Sequence, residues 1–366
     1  MTKVLVIETQ LKQYRRRFLV ELAVSLRARG IELVVAYSEP SGAELADTID
    51  LPGIGVKVPA HTWGDRIVLQ RAWRLARGAA LVIVGQANGQ LLNYALLARA
   101  KLGGPRVAYW GHGFNHQART PGWSERLKRR LVGTADWWFA YTPGVARYVA
   151  AHGMRADAIT TIYNTIDVAE LATEVAAHDV ATTRGRLGLA GPVGLYCGAL
   201  VAAKQLGFLA DAAAAIRERV PGFELVIVGA GPERAMLEAI SRYRPYLRVV
   251  GPAFDRARAA YFAVADVALL PAQLGLAAVD AFAAGLPVVT TDLPGHGPER
   301  EYLTAATSMV TPFEVGAYAD AIAALLGDPV RLATMRRAAR ARAAELPLRQ
   351  MVEQFTDGIA RCLEAR

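Results

Sequence analysis

The stretch from residue 267 to residue 289 limits most strongly what this chain can fold into. Residues 267–270 form an apolar run (VALL) that is typical of a core strand in a parallel sheet. An alanine-rich helix is predicted next, and it ends near Gly285, where Pro287 prevents its continuation. Residues 286–289 (LPVV) are predicted as a second buried strand. A strand, a helix and a strand in this order indicate an α/β fold.

The same alternation occurs elsewhere in the chain of 366 residues. An amphipathic helix over 17–29 separates predicted strands at 3–8 and 31–37, and a second α/β series starts with the strand at 193–197. The chain is long enough for two domains of ordinary size. We therefore predict two doubly wound, Rossmann-like α/β domains. Their predicted bounds are 1–168 and 192–345, with a linker over 169–191 and a last helical segment over 346–366.

The composition restricts the class of protein. Apolar residues make up 53% of the chain and charged residues 20%, as in a globular protein. Cys197 and Cys362 are the only cysteines, so we expect neither a disulfide framework nor a cysteine-based zinc site, and a reducing compartment suits the chain. Because no signal peptide is visible before the first strand, we expect a cytoplasmic protein. Residues 261–289 are apolar, but the charges and prolines within them favour buried core over a membrane span.

The net charge of +9 favours anionic partners, such as nucleotide diphosphates or anionic lipid headgroups. Residues 119–130 place basic side chains beside Trp123. This segment is either a helix in peripheral contact with an anionic membrane or a solvated surface helix. Tyr14, Arg15 and Arg16 precede the first long helix, and they either hold a phosphate or an anionic acceptor or form a solvated basic turn. Because there is no aromatic-basic motif, we expect no nucleic-acid partner.

Asp280 is the only charge in the first turns of a helix that is otherwise almost entirely apolar. A buried carboxylate needs a partner. Asp280 either faces solvent or lies in a cleft at the carboxyl end of the sheet, where open α/β sheets bind ligands. In the second case it can accept hydrogen bonds from sugar hydroxyls. The backbone amides of Gly275, Leu276 and Ala277, at the start of the same helix, suit a phosphate.

Two further residues are candidates because of their surroundings in the sequence. His112 lies between two glycines at the end of a predicted strand, where backbone and ligand can come close; a structural turn histidine is the alternative. Lys204 is the only lysine after Lys128, in a chain whose 42 basic residues are mostly arginine. A compact ammonium suits a phosphate site, and chance is the alternative explanation.

Residues 272–289 resemble the nucleotide-sugar signature of family-4 glycosyltransferases with the GT-B fold. In that signature two glutamates separated by seven residues flank a glycine turn, and the helix ends in G-x-P-V-V. Residues 274–276 (LGL) match the turn, Asp280 stands in place of the second glutamate, and residues 285–289 (GLPVV) match the end. The first glutamate falls on Ala272, which has no carboxylate.

Other positions match the same family. His112 corresponds to a histidine beside the sugar and phosphate of the donor, and Lys204 corresponds to a loop lysine that neutralises the diphosphate. Glu299 matches a family glutamate that could share the role missing at Ala272, whereas Ala199 replaces the family's loop arginine. The remaining donor-binding positions that the resemblance implies are Asn164, Gly229, Gly231 and Pro252, together with Gly275, Leu276 and Ala277.

The resemblance implies a retaining glycosyltransferase, which moves a sugar from a UDP- or GDP-sugar to a hydroxyl acceptor. A saccharide or lipid-linked saccharide in cell-surface polysaccharide or glycolipid synthesis is the expected acceptor, with peripheral contact on the inner face of the membrane left open. The two domains are expected to face a cleft, and residues 346–366 to cross back to the first domain. His112, Lys204 and Asp280 are the implied catalytic residues.

No metal and no cofactor besides the donor is expected, because no D-x-D triplet occurs in the sequence. The charge of the diphosphate must then be neutralised by Lys204, an arginine and helix-terminus amides. Two alternatives stay open. One is a sugar-nucleotide epimerase or hydrolase on the same scaffold. The other is a GT-B binding protein whose catalysis is weakened by Ala272 and Ala199.

Overall fold

The computed structural model describes residues 1–39, 50–64, 67–113 and 123–365, and only the backbone of residues 123–125. The chain divides into two compact units. Unit 1 comprises Met1–Asn164 and Leu348–Arg366, and unit 2 comprises Thr165–Pro347. The first part of the predicted membrane-contact segment, residues 119–122, and the side chain of Trp123 lie outside the described residues.

Unit 1 is built on a sheet of seven parallel strands. Its elements in chain order are β1 (Thr2–Glu8), α1 (Arg16–Ala28), β2 (Ile31–Tyr37), β3 (Gly55–Lys57), β4 (Ala60–Trp63), β5 (Ile67–Gln70), α2 (Trp73–Arg77), β6 (Leu81–Gly85), α3 (Leu91–Ala100), β7 (Arg106–Gly111), α4 (Trp123–Leu131), β8 (Trp137–Ala140), α5 (Pro143–Ala151), β9 (Ile159–Thr161) and, after unit 2, α14 (Leu348–Glu364). The strand order is β3-β2-β1-β6-β7-β8-β9, and β4 and β5 form a separate antiparallel pair. The order reverses between β1 and β6, so the carboxyl ends of these strands flank a switch point of the kind at which open α/β sheets bind ligands.

Helix α1 shows why this sequence folds as it does. Phe18, Leu19, Leu22 and Leu26 are buried, and their spacing places them on one helical face against the sheet. The helix ends at Ala28, and Gly30 follows with a φ of 73°, a left-handed conformation that commonly ends helices. The sequence predicted this helix to within one residue at each end.

The last helix, α14, belongs to unit 1. Phe355 stacks on Phe139 of β8 with ring centroids 4.1 Å apart, and it meets Phe18 and Trp110 edge to face. Gly358 allows this close approach, because a Cβ there would lie 2.6 Å from atoms of the Phe139 side chain. The structure therefore places residues 348–364 with the first unit, as the resemblance implied for the last segment.

Unit 2 is built on a sheet of six parallel strands. Its elements in chain order are α6 (Val168–Ala176), α7 (Val180–Leu187), β10 (Val193–Cys197), α8 (Leu206–Arg219), β11 (Glu224–Val228), α9 (Arg234–Ser241), β12 (Leu247–Gly251), α10 (Asp255–Val264), β13 (Val267–Leu269), α11 (Ala277–Ala283), β14 (Val288–Thr291), β15 (Ser308–Thr311), α12 (Val315–Leu326) and α13 (Pro329–Ala344). The order β12-β11-β10-β13-β14-β15 is that of a Rossmann fold, with its switch point between β10 and β13. The prediction of two doubly wound, Rossmann-like units is confirmed.

The segment expected as a linker, residues 169–191, is structured. It contains most of α6 and all of α7, and α6 packs on α10 and α11 within unit 2. The carboxylates of Asp167 and Asp179 accept hydrogen bonds at the two helix starts, which favours helix in this polar, alanine-rich sequence. The boundaries of the units therefore fall at residues 164/165 and 347/348.

Within the described parts of the chain, no helix combines the length and the apolar character that a bilayer crossing requires.

Candidate active site

Lys204 lies at the switch point of unit 2, in a short 3-10 turn between β10 and α8. Its ammonium donates a hydrogen bond to the backbone carbonyl of Gln273, in the loop after β13. Burial lowers the pKa of Lys204 to about 8, and the nearby carboxylate of Glu299 only partly offsets this. A cation held in such surroundings is poorly solvated, so an anionic ligand would stabilise it strongly.

The turn at residues 273–276 is held by the loop after β14. The Leu274 amide donates to Nδ1 of His296 (3.1 Å), and the Gly297 amide donates to the Leu274 carbonyl (2.6 Å). Because Nδ1 accepts, Nε2 carries the proton and donates to the carbonyl of Thr291 (2.9 Å). Burial lowers the pKa of His296, which agrees with a neutral ring. His296 therefore fixes the shape of the turn.

Glu299 lies directly beneath this turn and is almost completely buried. A Cβ at Gly297 would come within 2.7 Å of its carboxylate, and a Cβ at Gly275 would lie 4.0 Å from it. The glycine at position 297 therefore leaves room for the carboxylate, which acts on Lys204 from below the turn. Ala272, at the position of the missing signature glutamate, is also buried and contributes no polar side chain.

Asp280 lies on α11, with its side chain 12% exposed, so it does not face solvent. Nη1 of Arg258, on α10, donates to its carboxylate at 3.0 Å. Burial raises the pKa of Asp280, while the guanidinium of Arg258 opposes the shift. Burial, with a smaller contribution from the nearby charge of Asp280, raises the pKa of the Cys197 thiol to about 12. This thiol is therefore protonated at neutral pH.

The structure also places the other predicted donor-binding residues. Gly275, Leu276 and Ala277 are half-buried around the start of α11, and Pro252 is exposed after β12. Gly229 and Gly231 pack against the backbone of the loop after β10, where a Cβ would lie 1.9 Å from Gly198 O and 2.3 Å from Leu200 O. Asn164 is buried at the end of the first segment of unit 1, where its backbone N–H donates to the backbone carbonyl of Tyr141 (2.9 Å).

In unit 1, His112 is exposed directly after β7, and its ring packs on Tyr141 with centroids 4.6 Å apart. Tyr14 and Arg16 are exposed at the start of the α1 region. Arg15 is not: its guanidinium forms an ion pair with Glu8 (3.2 Å) and donates to the Tyr141 hydroxyl (2.8 Å). That Arg15 holds a phosphate or an anionic acceptor stays a prediction, and in the structure its guanidinium already contacts Glu8 and Tyr141.

The structure thus brings Lys204, Gly275 and Glu299 together around one turn of unit 2, with Asp280 on the helix after that turn. Two residues in this region were missed from the sequence. His296 lies between glycines in the same G-H-G pattern as His112, so the pattern could have identified it. Nothing in the sequence distinguished Arg258 from Arg256, the other arginine of the same helix. Among the described residues no cluster of three or more metal-ligating side chains is found.

Comparisons with known proteins agree with this architecture. Residues 16–170 match the family described as Glycosyltransferase Family 4, and residues 191–328 match Glycosyl transferases group 1. A glycogen synthase of Mycobacterium tuberculosis is 27% identical over 359 residues, which cover 88% of this chain and 84% of that protein. A GDP-mannose-dependent alpha-(1-6)-phosphatidylinositol monomannoside mannosyltransferase of the same species is 31% identical, with 67% of each chain covered.

Solved structures show the same fold. Sucrose-phosphate synthase from Thermosynechococcus elongatus superposes with a TM-score of 0.74 at 18% identity, over the full length of both chains. Anabaena HepE in complex with UDP superposes with a TM-score of 0.71 at 16% identity, covering 98% of this chain and 100% of that one. The two Rossmann-like units are therefore those of a GT-B glycosyltransferase. The chain belongs to the family-4 glycosyltransferases and is a nucleotide-sugar-dependent enzyme.

The lowered pKa of Lys204 predicts that nucleotide affinity depends on pH. The ammonium is charged below its pKa of about 8 and neutral above it, so a diphosphate loses its cationic partner as the pH rises. We expect the affinity for UDP or GDP to fall about tenfold between roughly pH 7 and pH 9, measured by calorimetry. Lys204→Met should bind weakly at every pH, and Lys101→Met, a change at an exposed lysine, should behave as wild type. Equal wild-type affinity at both ends of this range would contradict the prediction.

The pair of Arg258 and Asp280 predicts a second pH dependence, of stability. Arg258→Met leaves a buried carboxylate without its counter-charge, and we expect the free energy of unfolding to fall by about 3 kcal/mol at neutral pH. Without the guanidinium the pKa of Asp280 rises further, so the folded variant takes up a proton as the pH falls, and its loss should be smaller near about pH 5. Urea unfolding at both pH values measures this. The double variant Arg258→Met/Asp280→Asn, which has no buried charge, should recover most of the loss; failure to recover would argue against the pair.

Proposed function

We propose that this enzyme transfers a sugar, with retention of anomeric configuration, from a UDP- or GDP-sugar to a hydroxyl of a saccharide or lipid-linked saccharide. The observation that carries the proposal is the poorly solvated ammonium of Lys204 at the switch point of unit 2, beside a glycine turn. A diphosphate at this point gives the cation a second anionic partner, because the Glu299 carboxylate offsets its desolvation only in part. The nucleotide is also the leaving group, so the same contact stabilises the charge that develops during transfer.

Other residues of unit 2 have further roles in donor binding. Glu299 and His296 hold the turn that carries Gly275, so that its backbone can approach the phosphates. We propose that Glu299 also takes over part of the role of the carboxylate that is absent at Ala272. Asp280, with one oxygen held by Arg258, keeps its second oxygen for a ribose hydroxyl of the donor. No cofactor besides the donor enters this proposal.

The identity of the donor is supported by the relatives. The mannosyltransferase is named for GDP-mannose, and HepE has been solved in complex with UDP and with UDP-glucose. His112 of unit 1 is the proposed neighbour of the transferred sugar, on the strength of its exposed position after β7.

The transferase reaction is tested by the release of nucleotide with and without an acceptor. A thermal-shift comparison of UDP- and GDP-sugars first identifies the donor, because a ligand raises apparent stability by mass action. We expect release to depend on acceptor, and Lys204→Met to lower kcat about a hundredfold. Lys101→Met serves as the matched control. Equal release with and without acceptor would instead indicate a hydrolase, and no shift with any nucleotide would indicate a binding protein that has lost this site.

The lipid-linked acceptor and a peripheral position at the membrane are supported by helix α4. Arg126, Arg129 and Arg130 are exposed on it, whereas Leu127 and Leu131 are half-buried. The described part of the helix therefore presents charge outward, which suits electrostatic contact with anionic headgroups more than insertion into the bilayer.

Co-sedimentation with vesicles measures this contact. We expect the protein to pellet with vesicles that contain phosphatidylserine, and to pellet less as salt is raised, because the attraction is electrostatic. The triple change Arg126→Gln, Arg129→Gln and Arg130→Gln should abolish pelleting, while the same number of changes on α13, at Arg331, Arg337 and Arg340, serves as the control. Equal pelleting of both variants would rule out α4 as the contact.

A further inference from the structure

A largely enclosed charged pair lies at the carboxyl edge of the sheet of unit 1, outside the donor site described above. Glu8 is the last residue of β1, and Arg15 lies in the turn that precedes α1. Nη1 of Arg15 is 3.2 Å from Oε1 of Glu8, and the two side chains are only 14% and 19% exposed. The guanidinium lies over the ring of Trp110, 3.9 Å from its centroid. The two arginines that follow it in the sequence, Arg16 and Arg17, are exposed.

The second arm of this guanidinium holds a tyrosine. Nη2 of Arg15 donates to the hydroxyl of Tyr141 at 2.8 Å, and Tyr141 is buried directly after β8. Burial raises the pKa of Tyr141 well above its ordinary value, so the hydroxyl stays neutral and accepts the hydrogen bond at any physiological pH. The ring of Tyr141 packs on the imidazole of His112, with the ring centroids 4.6 Å apart and the ring planes at 59°.

Stability alone does not account for this arrangement. A buried ion pair is often no more stabilising than apolar side chains of the same volume. What a guanidinium adds is a rigid planar fork that can fix two groups at once. Here Nη2 donates a hydrogen bond to Tyr141, just after one strand, and Nη1 forms an ion pair with Glu8, at the end of another, while Trp110 limits the movement of the guanidinium from one face.

We propose that Arg15 is a positioning residue for His112 and acts through Tyr141. Glu8 and Trp110 hold the guanidinium, the guanidinium holds the tyrosine hydroxyl, and the tyrosine ring is the surface that the exposed imidazole contacts. This inference rests on the proposed function, in which His112 lies beside the transferred sugar. It predicts that loss of the anchor impairs the chemical step and leaves donor binding, which is assigned to unit 2, intact.

Two variants remove the anchor in different ways. Glu8→Gln/Arg15→Met removes both charges together, so no unpaired charge is left buried. Tyr141→Phe keeps the ring and the ion pair and removes only the hydroxyl that Arg15 holds. Arg29→Met is the matched control, because it removes an arginine of the same unit whose ion pair with Asp357 is exposed.

Two readouts separate positioning from a merely structural role. In steady-state kinetics we expect both anchor variants to lower kcat about 10- to 100-fold with the KM for the donor within about twofold of wild type. In histidine-ring NMR spectra, with His112 assigned from a His112→Gln sample, we expect its ring signals to shift or broaden in both variants. The control should match wild type in both readouts. Combining Tyr141→Phe with the double variant should add little further loss, because all these changes act through one contact.

Two outcomes overturn the inference. Wild-type kcat in Tyr141→Phe would show that the anchor is not needed, whatever the spectra show. A lower kcat with unchanged His112 signals would show that Arg15 acts through another group. If the wild-type protein transfers no sugar from any donor, the proposed function fails by itself, and the ring signals alone decide whether Arg15 positions His112.

Discussion

When a parallel sheet is covered on both faces, polar side chains can reach a ligand mainly at the carboxyl ends of the strands. In unit 1, Val4, Leu5 and Val6 are successive residues of β1 and all are buried, although they point alternately to the two faces. Polar chemistry must therefore come from the strand ends and from the loops that connect them to the next helix. Glu8 ends β1 in unit 1, and the loop that carries Lys204 comes after β10 in unit 2.

Two of the carboxylates at these edges form ion pairs with arginines. Arg258 donates a hydrogen bond to Asp280 in unit 2, and Arg15 forms an ion pair with Glu8 in unit 1. Lys204 differs, because its direct contact is a backbone carbonyl, and Glu299 acts on it only from beneath the turn. An ion pair fixes a side chain in place. An ammonium whose direct contact is a neutral carbonyl can still bind an incoming anion. This difference separates the groups that organise the edges from the group proposed to meet the phosphates.

The sequence predicted the elements well because buried parallel strands are continuous apolar runs, as at residues 193–197 and 267–270. It also singled out Lys204 as a candidate, because Lys204 is the only lysine after Lys128 in an arginine-rich chain. It could not distinguish Arg15 from Arg16 and Arg17, because the three arginines are consecutive and only the residues at the ends of β1 and β8 decide which of them is enclosed. Nor could it pair Arg258 with Asp280, since contact between α10 and α11 depends on the tertiary packing of both helices.

The electrostatics of unit 2 also connect donor binding to protons. With its pKa near 8, the ammonium of Lys204 is partly neutral under mildly alkaline conditions before any ligand binds. In the proposed complex a diphosphate favours the charged form, so its binding raises this pKa and takes up a proton from solvent. Release of the nucleotide after transfer reverses both changes. Burial disfavours the charged form of Lys204 in the free enzyme. For the same reason the protonation of Lys204 depends strongly on whether a diphosphate is bound, whereas the protonation of a fully solvated lysine would change far less.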